Sequence, residues 1–157
     1  MKLILPTALQ LERALALLMR RDVEAETQPV ATRCRFAAAG SYFGGDGPTL
    51  AWVGADLPLA AYLGAALSLV PADAARECVK AGDLDGTLRE NFAEVLNVSA
   101  CLVTRNDGGR LALQQPAFGD VAAAALLPPA TARMYRALFR VEIAGYGAGL
   151  MGLWGVA

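Results

Sequence analysis

Histidine is absent from the 157 residues, and with it go the Ser-His and Cys-His pairs that activate nucleophiles and most zinc hydrolase sites. Cysteine is scarce. Cys34, Cys78 and Cys101 lie far apart, form no C-x-x-C pair and have no histidine to complete a zinc site, so they read as reduced thiols in the cytosol. Charged residues make up only 18% of the chain, the net charge is -1, and no lysine or arginine run occurs. Attraction to a phosphate backbone is not indicated, and nucleic acid is not an expected partner. A phosphate-cradling glycine loop is missing as well, because GSYFGGDGP, residues 40–48, lacks a G-K-[ST] ending and precedes a strand-like run instead of a helix.

Long hydrophobic runs are also wanting. The opening MKLILPTALQLER has too short an apolar stretch before Pro6 for a secretory signal, and charges return at Glu12 and Arg13. The most apolar window, residues 51–70, contains Asp56 and Pro58 near its middle, which favours a buried strand followed by a buried helix over a membrane span. A cytoplasmic location is expected. What the chain does have is 55% hydrophobic residues, enough at this length for one core that needs neither disulfide nor structural metal. One domain over residues 1–157 is the expectation.

Residues 8–21, ALQLERALALLMRR, carry the periodicity of an amphipathic helix. Residues 30–43 and 49–55 read as strands separated by GGDGP, whose glycines suit a hairpin turn. Asp56 or Leu57 caps a helix with Pro58 in its first turn, running to about residue 69. Pro71 begins a short helix that Gly82 closes. After a further helix over 87–103 and a turn at NDGGR comes a short strand, RLALQQ, stopped by Pro116. Residues 120–127 are alanine-rich and of open type. MYRALFRVEIAGY alternates as a strand should, and GYGAG turns it back into a final strand, LMGLWGV. The fold class is α+β, an antiparallel sheet with packed helices in two degenerate pseudo-repeats.

The helix at 87–103 carries the chemistry. At 100° per residue Glu90, Glu94, Asn97 and Cys101 fall within about 60° of one another, while Leu88, Phe92, Val95 and Leu96 take the opposite side. A carboxylate and a carboxamide one turn apart can together enter a partner's cleft. Glu90 has two readings, as part of this stripe or as the acidic member of a T-x-x-E capping box begun by Thr87. Glu94 and Asn97 also read either as a site or as a solvated face, and Cys101 as a small residue at a shielded spot or as a reactive thiol.

The pattern E-x-x-x-E-x-x-N-V at 90–98, followed by a glycine-rich turn and L-x-L-x-x-P ending at Pro116, resembles the CheC/CheX family of chemotaxis phosphatases. Glu90 stands where that family usually has aspartate or serine, and VSAC follows Asn97. Glu12 of the first helix is followed by Leu15 where a second asparagine would sit, so the chain is similar to the single-site CheX type. The resemblance implies hydrolysis of the aspartyl phosphate of a CheY-like response regulator. Asn97 would orient the water and Glu94 would pair with the regulator's active-site lysine, with Glu90 and Cys101 touching the partner. Mg²⁺ would come from the regulator, the chain holding no cofactor of its own. Two other readings stay open: a non-catalytic CheX-like module that docks a regulator or a flagellar or signalling partner, and a structural domain that dimerises. A homodimer is expected, because the apolar LMGLWGVA is a poor edge to leave exposed.

Overall fold

The computed structural model describes residues 1–157. After the short strand β1 (Leu3–Ile4), helix α1 (Ala8–Met19) begins at Thr7, whose hydroxyl accepts from the Gln10 amide while the Gln10 side chain accepts from the Thr7 amide. This reciprocal cap satisfies two donors that the first helical turn leaves free. Strands β2 (Val23–Gln28), β3 (Phe36–Phe43) and β4 (Thr49–Asp56) follow, then helices α2 (Leu57–Leu67), α3 (Ala72–Ala81) and α4 (Gly86–Val98). A 3-10 turn at Ser99–Leu102, strands β5 (Thr104–Arg105) and β6 (Ala112–Phe118), helix α5 (Asp120–Leu126), and strands β7 (Met134–Ile143) and β8 (Gly147–Val156) complete the chain. No helix is long and apolar enough to cross a membrane.

Six strands form one antiparallel sheet in the order β2-β7-β8-β4-β3-β6, and β1 pairs with β5 apart from it. Exchanging β2 with β6, β3 with β7 and β4 with β8 maps that order onto its own reverse. Each half is thus a helix, an outer strand and an inner hairpin, with α1 leading one and α4 the other. One sheet face packs on the helices, where Val53, Phe139, Val141, Met151 and Leu153 meet Leu11, Leu15, Leu59, Leu63, Phe92 and Leu96 in a single buried cluster. Strands supply this face from alternate residues, and α1 and α4 from one stripe each.

Three contacts fix α4. At Gly64 of α2 a Cβ would stand 3.0 Å from the Leu88 carbonyl oxygen, so the bare glycine lets the two helices close up. Asn91 spans the same junction, donating to the Gly64 carbonyl at 2.8 Å and the Ser68 hydroxyl at 2.6 Å. Further along, the buried Tyr42 hydroxyl donates to the Leu96 carbonyl at 2.6 Å, where regular helix gives way to the 3-10 turn and carbonyls lose their ladder partners. Burial pushes the Tyr42 phenol well above its ordinary pKa, so it remains a donor.

Several expectations are corrected. The strand placed over 30–43 begins only at Phe36, and an unforeseen outer strand, Val23–Gln28, precedes it. The helix placed over 87–103 is regular from 86 to 98. Its cap is Asp85, which accepts from the Leu88 amide at 2.8 Å, so Thr87 lies inside the first turn and the Thr87–Glu90 capping box does not form. Pro116 does not stop its strand. It pairs with Gly40 inside β6, which is tolerable because β6 is an edge and has no neighbour on its far side. The strand LMGLWGV is no edge at all: β8 lies between β7 and β4, and the case for a dimer through its exposed backbone falls with that.

Asp56 caps α2 as expected, accepting from the Leu59 amide at 3.0 Å, in a space kept open by Gly149, where a Cβ would strike the Asp56 carboxylate. Burial raises the Asp56 pKa above its ordinary 3.8 despite backbone hydrogen bonds that lower it. The folded form therefore holds the proton longer, so the stability contributed by the neutral acid is full below 3.8 and is lost as pH rises through the raised folded value. Asp56→Asn keeps the cap acceptor and cannot ionise. Its stability relative to wild type is expected to improve as pH rises from about 4 to 7, whereas Asp56→Ala loses about 1 kcal/mol of capping, both measured by thermal melts. For the other buried contact, Tyr42→Phe leaves the Leu96 carbonyl unpaired and is expected to cost about 1–3 kcal/mol in urea unfolding.

Candidate functional site

Leu88, Phe92, Val95 and Leu96 are buried, while Glu90, Glu94, Asn97 and Cys101 are all exposed. The 3.6-residue period of α4, with its apolar stripe docked on α2 and the sheet, turns these four outward together. Cys101 keeps its place on this side although it lies in the 3-10 turn. With the capping box gone, Glu90 stands free on the outer face. Asn91, three residues before Glu94, is held by α2 as described, and so lies outside the outward stripe.

The end of α4 that carries Asn97 is tied both to the sheet and to the turn that follows it. Tyr42 takes the carbonyl of Leu96, the preceding residue, and the buried Ser99 hydroxyl donates to the Val95 carbonyl at 2.7 Å. Beyond Asn97 opens a groove of about 500 Å³, bordered by Val98, Cys101, Thr104, Arg105 and Arg110. Arg105 and Arg110 were not singled out from the sequence. The signal available was a cation on each side of N-D-G-G. Val98, 37% exposed, adds an apolar contact beside the amide.

In this groove Arg105 binds Asp107 through two hydrogen bonds, at 2.9 and 2.6 Å. The guanidinium and the Gly109 amide together pull the Asp107 carboxyl down to about 2. At the first helix no second site forms. Glu12 accepts from the Ala25 amide of β2 at 3.1 Å and Leu15 is buried in the core. No group of three or more Cys, Asp or Glu side chains is arranged to hold a metal ion. Chemically the exposed stripe offers a carboxylate, a carboxamide that both donates and accepts, and a neighbouring cation.

No family model matches the chain, and no curated protein matches it in sequence. Solved structures do. The middle domain of FliM from Vibrio alginolyticus superposes with a TM-score of 0.61 at 13% identity, covering 94% of this chain and 86% of that one. FliM from Helicobacter pylori, solved in complex with SpeE, gives 0.59 at 10% identity over 95% and 81%. CheX from Borrelia burgdorferi, solved with CheY, BeF3 and Mg²⁺, gives 0.45 at 12% identity over 91% and 90%. At such identities it is the fold that is shown: the chain has the α+β architecture of the FliM middle domain.

Proposed function

We propose that the chain docks on a CheY-like response regulator and accelerates hydrolysis of the regulator's aspartyl phosphate, which places it in the cytoplasm with that partner. The observation that carries this reading is the pair Glu94 and Asn97, exposed one turn apart on one helix face at the end that Tyr42 ties to the sheet. The Asn97 carboxamide holds a water in line with the phosphorus. As the new P–O bond forms, the bond to the aspartyl carboxylate breaks, giving inorganic phosphate, a free carboxylate and a proton released to solvent. Glu94 pairs with the regulator's active-site lysine and so fixes the docking register. An acyl phosphate is already activated, and the regulator brings its own Mg²⁺, so positioning is the whole task of the helper. Glu90 and Cys101 flank the contact. A homodimer belongs to this reading too, through a surface other than β8.

A second reading has support in the likeness to two FliM structures, which exceeds that to CheX, and in the exposed Val98 beside Asn97. In it the same face binds a regulator or a flagellar partner without chemistry. The two part in a phosphate-release assay with acetyl-phosphate-loaded CheY-like regulators of the source organism. On the first reading wild type accelerates release. Asn97→Ala then lowers kcat about a hundredfold, the equivalent of ~2.7 kcal/mol, with binding to the beryllofluoride-activated regulator retained. Glu94→Ala weakens binding and raises KM, because its contact is made before and during the transition state. Binding by wild type without faster release selects the second reading.

A further inference from the structure

The groove beside Asn97 contains two arginines in different electrostatic states. Arg105 is consumed within the chain. Its guanidinium is closed on Asp107, and a Cβ at either Gly44 or Gly109 would strike it, so two bare glycine backbones pack against it. Arg110 is exposed, borders the same groove and takes part in none of the chain's ion pairs.

The turn between them is held from several sides. The Lys2 amide donates to the Asn106 side chain at 2.7 Å, and the Asn106 amide donates to the Lys2 carbonyl at 3.0 Å, tying the turn to the first strand. The Gly109 amide donates to Asp107 at 3.0 Å, and Gly108 takes φ +76°, a conformation that favours glycine. Arg105, Asp107 and the glycines therefore form a small internally neutral frame, and Arg110 projects from its end as the groove's one uncompensated charge. The outer face of α4 carries the opposite sign at Glu90 and Glu94.

We infer that Arg110 is the docking cation of this surface, receiving an anionic group of the partner, a carboxylate beside its phosphorylated aspartate, while Glu94 receives the partner's cation. This rests on the regulator-binding reading above and adds to it a second point of charge complementarity. Two charges of opposite sign at separate places define an orientation, which one alone does not. A partner whose binding pocket is itself acidic would be repelled by Glu90 and Glu94 acting alone. Arg110 offsets that repulsion and draws the pocket toward Asn97. Its role is to steer and position, not to touch phosphorus, so it acts on encounter more than on turnover.

The test measures association of the full chain with a beryllofluoride-activated CheY-like regulator by stopped flow across a salt series, alongside phosphate release. Arg110→Ala is expected to slow association about tenfold, flatten its salt dependence and raise KM, with kcat unchanged. Arg110→Lys is expected to recover most of the rate, since it keeps the charge, and Arg110→Glu to slow association further. An unchanged association rate and salt slope in Arg110→Ala, with Asn97→Ala inactive in the same assay, overturns the role of Arg110 and leaves the phosphatase reading intact. A fall in kcat with an unchanged association rate also overturns it, in favour of contact with the phosphoryl group. Failure of wild type to bind any activated regulator overturns both.

Discussion

A single buried hydrogen bond, from the Tyr42 hydroxyl to the Leu96 carbonyl, couples the sheet to the end of α4. It is short, wholly desolvated and made where the helix is running out of its own hydrogen bonds, so the carbonyl has poor alternatives. Tyr42 is a member of an inner strand, held between β4 and β6 by the paired backbone of β3. The hydroxyl therefore transfers the position of the sheet to the backbone beside Asn97. Gly64 and Asn91 do the same for the first half of the helix, and together the three contacts leave α4 no freedom to roll. Which residues face outward then follows from the helical period alone.

The pseudo-twofold arrangement makes the difference between the halves informative. The leading helices take the same place in the two units, yet their polar residues have opposite fates. Glu12 is turned toward β2 and spent on the Ala25 amide, and Leu15 is in the core. On α4 the glutamates and the asparagine face solvent. One half thus uses its polar group to tie down an outer strand that has a neighbour on one side only. The other leaves its outer strand to backbone pairing, with Pro116 inside it at the open edge, and keeps its polar stripe unspent.

Much of this was legible in the sequence because periodicity is a strong signal where an element has one buried side. α1 and the stripe of α4 were read from the spacing of their apolar residues, and α2 and α3 from local chemistry, Asp56 and Pro58 at the start of one and Pro71 and Gly82 at the ends of the other. The errors lie where a local signal had a competitor or was absent. T-x-x-E at Thr87 competed with Asp85 two residues earlier, and the aspartate won because its carboxylate reaches the Leu88 amide while Thr87 is already helical. VEAETQ escaped notice because an outer strand with one wet face shows little apolar content. DVAAAAL showed no period since alanine marks no face, and only Ala123 of α5 is buried. Whether β8 was an edge could not be read at all, because strand order depends on pairings distant in sequence. The same holds for Arg110, whose place beside Asn97 comes from the return of the chain after α4.

On the proposed reading, the economy of the site accounts for the rigidity around it. A histidine-free chain that contributes one carboxamide and one carboxylate supplies neither a nucleophile nor a strong base, so its effect on rate must come from holding a water where the phosphorus will be attacked. Such an effect is entropic and scales with how well the geometry is fixed beforehand. A loop would position the amide too loosely. A helix packed through a bare glycine, bridged by Asn91 and tied at its end by a buried phenol holds it with the precision of the core itself. The folded scaffold, more than any reactive group, is then what this surface brings to its partner.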